Sequence, residues 1–211
     1  MDVDLVVPLK HPRDGKSRLR GAVEPAHHPG LVLAFARDTL AAVTSSARVR
    51  RVLVVAADPG AVRELAELGV EIVGEPDEQT LNAAFRHGEA LLKADDPGAA
   101  VGALQADLPA LRAGDLTAAL AEAQTEAAGK RAFVADRQGT GTTLLLAAPG
   151  AALDPRFGPG SARLHAAFGA VPLRGALPTL RSDVDTPDDL AHVLALGVGK
   201  HTSAYRAELF I

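Results

Sequence analysis

Residues 4–20, DLVVPLKHPRDGKSRLR, pass from an apolar run into a basic loop. Asp4–Leu9 has the length and branched character of a buried strand, which Pro8 and the charges after Leu9 bring to an end. The loop carries Lys10, Arg13, Lys16, Arg18 and Arg20 against one acid, Asp14. A buried first strand that ends in a cationic loop is the opening of an open α/β sheet, in which ligands bind at the carboxyl ends of the strands. A basic segment on a chain of net charge -4 suits a small anionic ligand better than a long polyanion.

The same alternation continues downstream. Leu31–Val43 reads as a helix, Val52–Ala56 as a strand, and Asp58-Pro59 as the start of a helix that Gly69 stops. Val70–Val73 is a third strand, and Thr80 caps a helix over Leu81–Leu92. The apolar run Ala99–Ala106 ends at Asp107, before Leu108-Pro109 and a helix near Asp115–Ala127. Two short strands, Ala132–Ala135 and Thr143–Ala148, flank the glycine-rich turn Gly139–Thr142 and predict a hairpin. A short helix at Ala162–Phe168, a strand-like stretch reaching Asp185 and a helix from Pro187 to Leu196 complete the pattern. The expectation is one α/β domain over residues 1–211, with a mostly parallel, mixed central sheet and helices on both faces. The tail 199–211 either docks on this domain or moves freely.

Composition narrows the chemistry. Of the 211 residues 47% are hydrophobic and 3% aromatic, so Ala, Val and Leu build the core. The absence of cysteine excludes disulfides, thiolate metal sites and cysteine nucleophiles. No apolar run matches a membrane span, and Asp2 and Asp4 stand where a secretory leader would be basic, so the expected location is the cytoplasm, without membrane or nucleic-acid partners.

Three carboxylates stand out. If Asp183-Val184-Asp185 is extended, Asp183 and Asp185 project to one face, where they repel unless a cation lies between them. Asp107 ends a central apolar run, where an unpaired carboxylate is costly. Together the three suit magnesium, which takes a few carboxylates along with water and phosphate oxygens. Thr186-Pro187-Asp188-Asp189, by contrast, is a helix start and accounts for Asp188 and Asp189 without a ligand. Gly15-Lys16-Ser17 imitates a P-loop, but Lys10 occupies the place of its first glycine. Gly139–Thr143 and Phe157–Ser161 allow close backbone approach and offer hydroxyls to anions, or they are a hairpin turn and a serine cap. His11, His27, His28, His165 and His201 have no metal-ligand spacing and read as structural or exposed.

Six motifs in order, VPLK…KSRL at 7–19, LNAA at 81–84, LQADLPAL at 104–111, GTGTTLL at 139–145, FGPGSA at 157–162 and DVDTPDDL at 183–190, span nearly the whole chain. In these the sequence resembles the 2-phospho-L-lactate or phosphoenolpyruvate guanylyltransferases of deazaflavin coenzyme F-420 biosynthesis, the CofC/FbiD family. The resemblance implies a single-domain, Rossmann-like nucleotidyltransferase fold that transfers GMP from GTP to phosphoenolpyruvate or 2-phospholactate. It implies that Asp107, Asp183 and Asp185 hold Mg2+, and that Thr143, Gly158 and Ser161 contact the acceptor. Pro8, Leu9, Lys10, Lys16 and Arg18 would handle the triphosphate, and Asn82 would border the base. It further implies hand-over of an unstable product to the next pathway enzyme. The glycine-rich first loop of sugar-phosphate nucleotidyltransferases is missing, which disfavours that chemistry.

Overall fold

The computed structural model describes residues 2–210; Met1 and Ile211, the ends of the expected domain and tail, lie outside the described residues. Among the described residues seven strands form one sheet: β1 (Val3–Leu9), β2 (Val49–Ala56), β3 (Glu71–Gly74), β4 (Val101–Leu104), β5 (Ala132–Ala135), β6 (Thr142–Leu146) and β7 (Val171–Pro172). Their order is β3-β2-β1-β4-β6-β5-β7. Strand β6 is antiparallel to both neighbours, while β1, β2, β3 and β4 pair in parallel, as do β5 and β7. The mixed, mostly parallel sheet expected from the sequence is therefore present, and its departure falls at the predicted hairpin.

Both faces are buried because the central strands are apolar on both sides. Val3, Leu5, Val7 and Leu9 face one core with α1 (His28–Thr44) and α3 (Ala113–Glu126). Val6 faces the other with Phe85 of α2 (Leu81–Asp95) and Ala162 of α4 (Ser161–Ala167). Helix α2 approaches β1 closely, because Gly88 presents no side chain to Val6. A third cluster lies beyond the strand ends, where Leu19, Phe35 and Val184 meet Leu190 of α5 (Pro187–Leu196). At the opposite, amino-terminal end of β1 Asp4, fully buried, is gripped by both Nε and Nη2 of Arg50 at 3.0 and 2.7 Å. Without that pairing a buried charge would cost several kcal/mol.

One sequence expectation is met in a tighter form and one is corrected. The helix expected after Asp58-Pro59 is a 3-10 run over Gly60–Leu68 that ends at Gly69. Only Val62 and Leu65 are buried there, so little packing favours the wider helix between Pro59 and the left-handed Gly69. The stretch leading to Asp185 is not a long strand, since β7 stops at Pro172. Beyond it a different set of contacts takes over: Arg181 donates to the carbonyls of Ala135, Leu173 and Gly175 and holds the segment as a loop.

The tail is docked through residue 210. Both carboxylate oxygens of Asp38, which is buried, accept backbone N–H groups of the short helix α6 (Lys200–Ser203), from His201 at 3.0 Å and Thr202 at 2.8 Å. The Tyr205 side chain lies against Gly30, and the Phe210 amide donates to the Ala22 carbonyl. Among the described residues no helix is long and apolar enough to cross a membrane.

Candidate active site

A cavity of about 600 Å³ opens at the carboxyl ends of β1 and β4. Pro8, Leu9, Lys10, Lys16 and Arg18 line it together with Gln79–Leu81, Gln105, Asp107, Asp183 and Asp185. The strand-end placement expected from the sequence thus brings the basic loop and all three carboxylates to one hollow. The aspartates arrive by different routes. Asp107 lies just past β4, and its carbonyl accepts the Val184 amide at 3.1 Å. Val184 is fully buried in the third cluster, which fixes Asp183 and Asp185 on either side of it. The capping box of Thr186 and Asp189 starts α5 directly behind them. Asp189 also accepts from Arg137 at 2.9 Å and Gln138 at 3.1 Å, tying the hairpin loop to the same corner.

Lys16 sits among these carboxylates. Its ammonium donates to Asp107 Oδ2 and, at 2.7 Å, to Asp185 Oδ1. Burial alone would lower its pKa, but the negative charges of Asp107 and Asp185 outweigh that and hold it above the usual lysine range. Its backbone is left-handed, φ 52°, a conformation that costs a non-glycine residue about 1 kcal/mol. Among the described residues Asp183 has no such partner. Burial, then the charges of Asp107 and Asp185, push its carboxyl up to about 8 against the opposing pull of Lys16; Asp136 adds to the rise. Asp107 Oδ1 is buried and, among the described residues, has no hydrogen-bond partner. Two oxygens on Lys16, one orphaned oxygen and one carboxyl driven toward its neutral form describe a site with more negative charge than one ammonium satisfies. Carboxylate oxygens are the donor type that a hard divalent cation takes. Among the described residues, no three His, Cys, Asp or Glu side chains are drawn together around a metal position.

The other expected residues separate from this hollow. Lys10 and Arg18 are exposed and line the cavity, without ion pairs among the described residues. Thr143 and Ser161 are buried, and neither they nor Gly158 line the cavity. Ser161 is not a cap: the cap position of α4 is the left-handed Gly160, and Ser161 Oγ donates instead to Thr142 Oγ1 at 3.1 Å. Asn82 does not line the cavity either, and its amide is occupied at both ends by the Phe157 backbone.

Gln79, Gln105 and Asp136 escaped the sequence reading. Gln79 and Gln105 line the cavity. Asp136 accepts the Thr140 and Gly141 amides at 2.8 and 2.7 Å, so it shapes the glycine-rich turn beside Asp183. In β6 the register skips from Leu144 to Thr142 against consecutive partners in β5, which leaves Thr143 as the extra residue of a bulge. His165 is buried and bonded on both ring nitrogens. Of the missed residues only Asp136, before Gly139 and Gly141, carried a local turn signal.

Residues 3–211 match the family described as guanylyl transferase CofC like. The chain belongs to this family. Among its relatives, the phosphoenolpyruvate guanylyltransferase of Streptomyces scabiei is 52% identical over 217 residues, covering 100% of this chain and 99% of that protein. The phosphoenolpyruvate guanylyltransferase of Geodermatophilus obscurus is also 52% identical, over 95% of this chain and 92% of its own. Solved structures share the fold at much lower identity. A nucleotidyl transferase from Methanothermobacter has a TM-score of 0.59 at 17% identity, over 92% of this chain and 99% of that one. A 4-diphosphocytidyl-2C-methyl-D-erythritol synthase has 0.62 at 14%, over 92% and 97%. The chain of this CofC-like family member thus carries a nucleotidyltransferase fold, as the six motifs implied.

Proposed function

We propose that this chain, working as one cytoplasmic domain, transfers GMP from GTP to the phosphate of phosphoenolpyruvate, releasing pyrophosphate, in the route to the deazaflavin coenzyme. The named activity of the Streptomyces and Geodermatophilus relatives supports this reading. The observation that carries it is a cation, Lys16, bonded to Asp107 and Asp185 in a cavity that Asp183, Lys10 and Arg18 also line.

The acceptor phosphate is already anionic near neutral pH, so it attacks the α-phosphorus without a general base. What opposes the reaction is repulsion between two anions. Lys10, Lys16 and Arg18 hold the triphosphate and stabilise the charge that moves onto departing pyrophosphate. Asp107, Asp183 and Asp185 would hold Mg2+, which when bound supplies further neutralisation of the phosphate oxygens. Lys16 then exchanges its carboxylate partners for phosphate. Thr143, Gly158 and Ser161 orient the acceptor, and fixed orientation is the remaining contribution to rate.

The test is pyrophosphate release from each of the four nucleoside triphosphates with phosphoenolpyruvate, 2-phospholactate, 3-phosphoglycerate or a sugar 1-phosphate. GTP with phosphoenolpyruvate is expected to be turned over fastest, and Asp107→Asn to lower that rate by about 10²-fold or more. Undiminished turnover in Asp107→Asn would remove the carboxylate site from the mechanism.

A further inference from the structure

The turn Gly158–Ser161 is gripped from behind by two side chains on different helices. Asn82, in the first turn of α2, donates from Nδ2 to the Phe157 carbonyl at 2.9 Å and accepts the Phe157 amide on Oδ1 at 2.8 Å. His165, on α4, accepts the preceding amide, Arg156 N–H, on Nε2 at 3.0 Å. That bond places the ring proton on Nδ1, which donates to Thr142 Oγ1 at 2.9 Å, the same oxygen that receives Ser161 Oγ. The Phe157 ring is set between Phe85, centroids 4.4 Å apart, and the His165 ring, 5.2 Å apart and edge-on.

Beyond this anchored pair the backbone turns through Gly158 at φ 137° and Gly160 at φ 72°. A side-chain carbon on either glycine would meet nothing within 4 Å, so the outer face of the turn is open. The Ala162 amide bonds the Thr140 carbonyl, which joins this turn to the glycine-rich hairpin loop. The fixed backbone therefore lies behind, and the free space in front.

We propose that Asn82 and His165 are positioning residues for the acceptor, and that Asn82 acts on the acceptor side of the reaction instead of reading the nucleotide base. Each holds one of two successive backbone amides, so the glycine turn and the Thr142–Ser161 hydroxyl pair keep one geometry toward the acceptor's phosphate and carboxylate. Leu81, the neighbour of Asn82, lines the nucleotide cavity, so α2 touches both halves of the site. This inference rests on the acceptor assignment made above.

The experiment compares Asn82→Leu, Asn82→Asp and His165→Phe with the wild type. Asn82→Asp keeps an acceptor for the Phe157 amide but sets a carboxylate against the Phe157 carbonyl. Thermal melts identify which variants fold. Steady-state kinetics are expected to show the KM for phosphoenolpyruvate raised about tenfold or more, with the KM for GTP within about twofold of wild type. A raised KM for GTP in the Asn82 variants, or an unchanged KM for phosphoenolpyruvate in all three, overturns the proposal. A second readout needs no turnover: phosphoenolpyruvate is titrated while the amide signals of Gly158 and Gly160 are followed by NMR. Shifts are expected in the wild type and not in Asn82→Leu, and equal shifts in both overturn the proposal. Wild type that shows the shifts but releases no pyrophosphate would defeat the proposed reaction and leave the positioning role standing.

Discussion

The Lys16 ammonium lies 2.7 Å from Asp185 Oδ1 and shares its remaining charge with Asp107. It therefore occupies the electrostatic position that the proposed divalent cation would need. Two cations at one set of carboxylates repel by several kcal/mol even at an effective dielectric near 20. Replacing the lysine with an uncharged side chain of similar length should relieve that competition. In Lys16→Met without nucleotide, Mn2+ is expected to bind at least about tenfold more tightly than in wild type, measured by calorimetry. Pyrophosphate release by the same variant should fall, because the triphosphate has lost a charge. Weaker Mn2+ binding in Lys16→Met would show that the lysine organises the carboxylates instead of competing for them.

His165 provides a pH test. Burial, followed by the nearby charges of Arg131 and Arg156, lowers its pKa to about 4, with Asp154 opposing. Between that value and the ordinary 6.5 the unfolded chain takes up a proton that the native state refuses, so stability falls as pH drops through this window. The loss reaches about 3 kcal/mol by linkage. Urea unfolding of wild type and His165→Phe at pH 7 and pH 4 should show the stability gap between them narrowing by about that amount. A constant gap would mean that the native ring accepts its proton as readily as a free one.

Asp38 anchors the chain end. Removing its carboxylate leaves the His201 and Thr202 amides without their partner. Asp38→Ala is expected to cost about 1–3 kcal/mol in denaturant unfolding. Limited proteolysis should then cut within residues 199–210 before any other segment. Cleavage elsewhere first would mean that the end is held mainly by Arg206, whose Nη2 donates to the Leu194 carbonyl at 2.7 Å, and by the Phe210 amide.

Gly88 and Gly114 make a paired test of packing against propensity. In Gly88→Ala the new carbon would lie 2.9 Å from Val6 Cγ2 and 3.2 Å from Val55 Cγ2. Overpacking of about 1–3 kcal/mol should outweigh the helix-propensity gain of about 1 kcal/mol. Gly114, in α3, has open space around the same position, so Gly114→Ala should stabilise by up to about 1 kcal/mol. Melting temperatures that move the same way in both variants would contradict this.

The fold was legible where local pattern and tertiary demand agree. The run Asp4–Leu9 reads as a buried strand because both of its faces are apolar, and Thr186 through Asp189 announces a helix start by composition alone. Asp107 could be singled out because a carboxylate that ends an apolar run is costly without a partner, and Asp183 and Asp185 because two carboxylates on one face of an extended segment repel. Strand character before Asp185 was misread because pairing depends on neighbours distant in sequence, and there Arg181 binds the carbonyls. The partners of Asn82 and His165 were invisible for the same reason: each bond spans a separation that no local pattern encodes, 75 residues from Asn82 to Phe157 and 23 from His165 to Thr142. Nor could charge counting foresee that Lys16 would point down into the carboxylates while Lys10 and Arg18 remain exposed.

The docked tail has an optical consequence. The chain has no tryptophan, and its one tyrosine, Tyr205, rests on Gly30 at the start of α1. Intrinsic ultraviolet emission from the whole molecule therefore originates mainly at a single contact between the chain end and the helix that follows the basic loop. Quenching or anisotropy recorded at that wavelength reports the attachment of the tail directly, with no label and no background from the sheet.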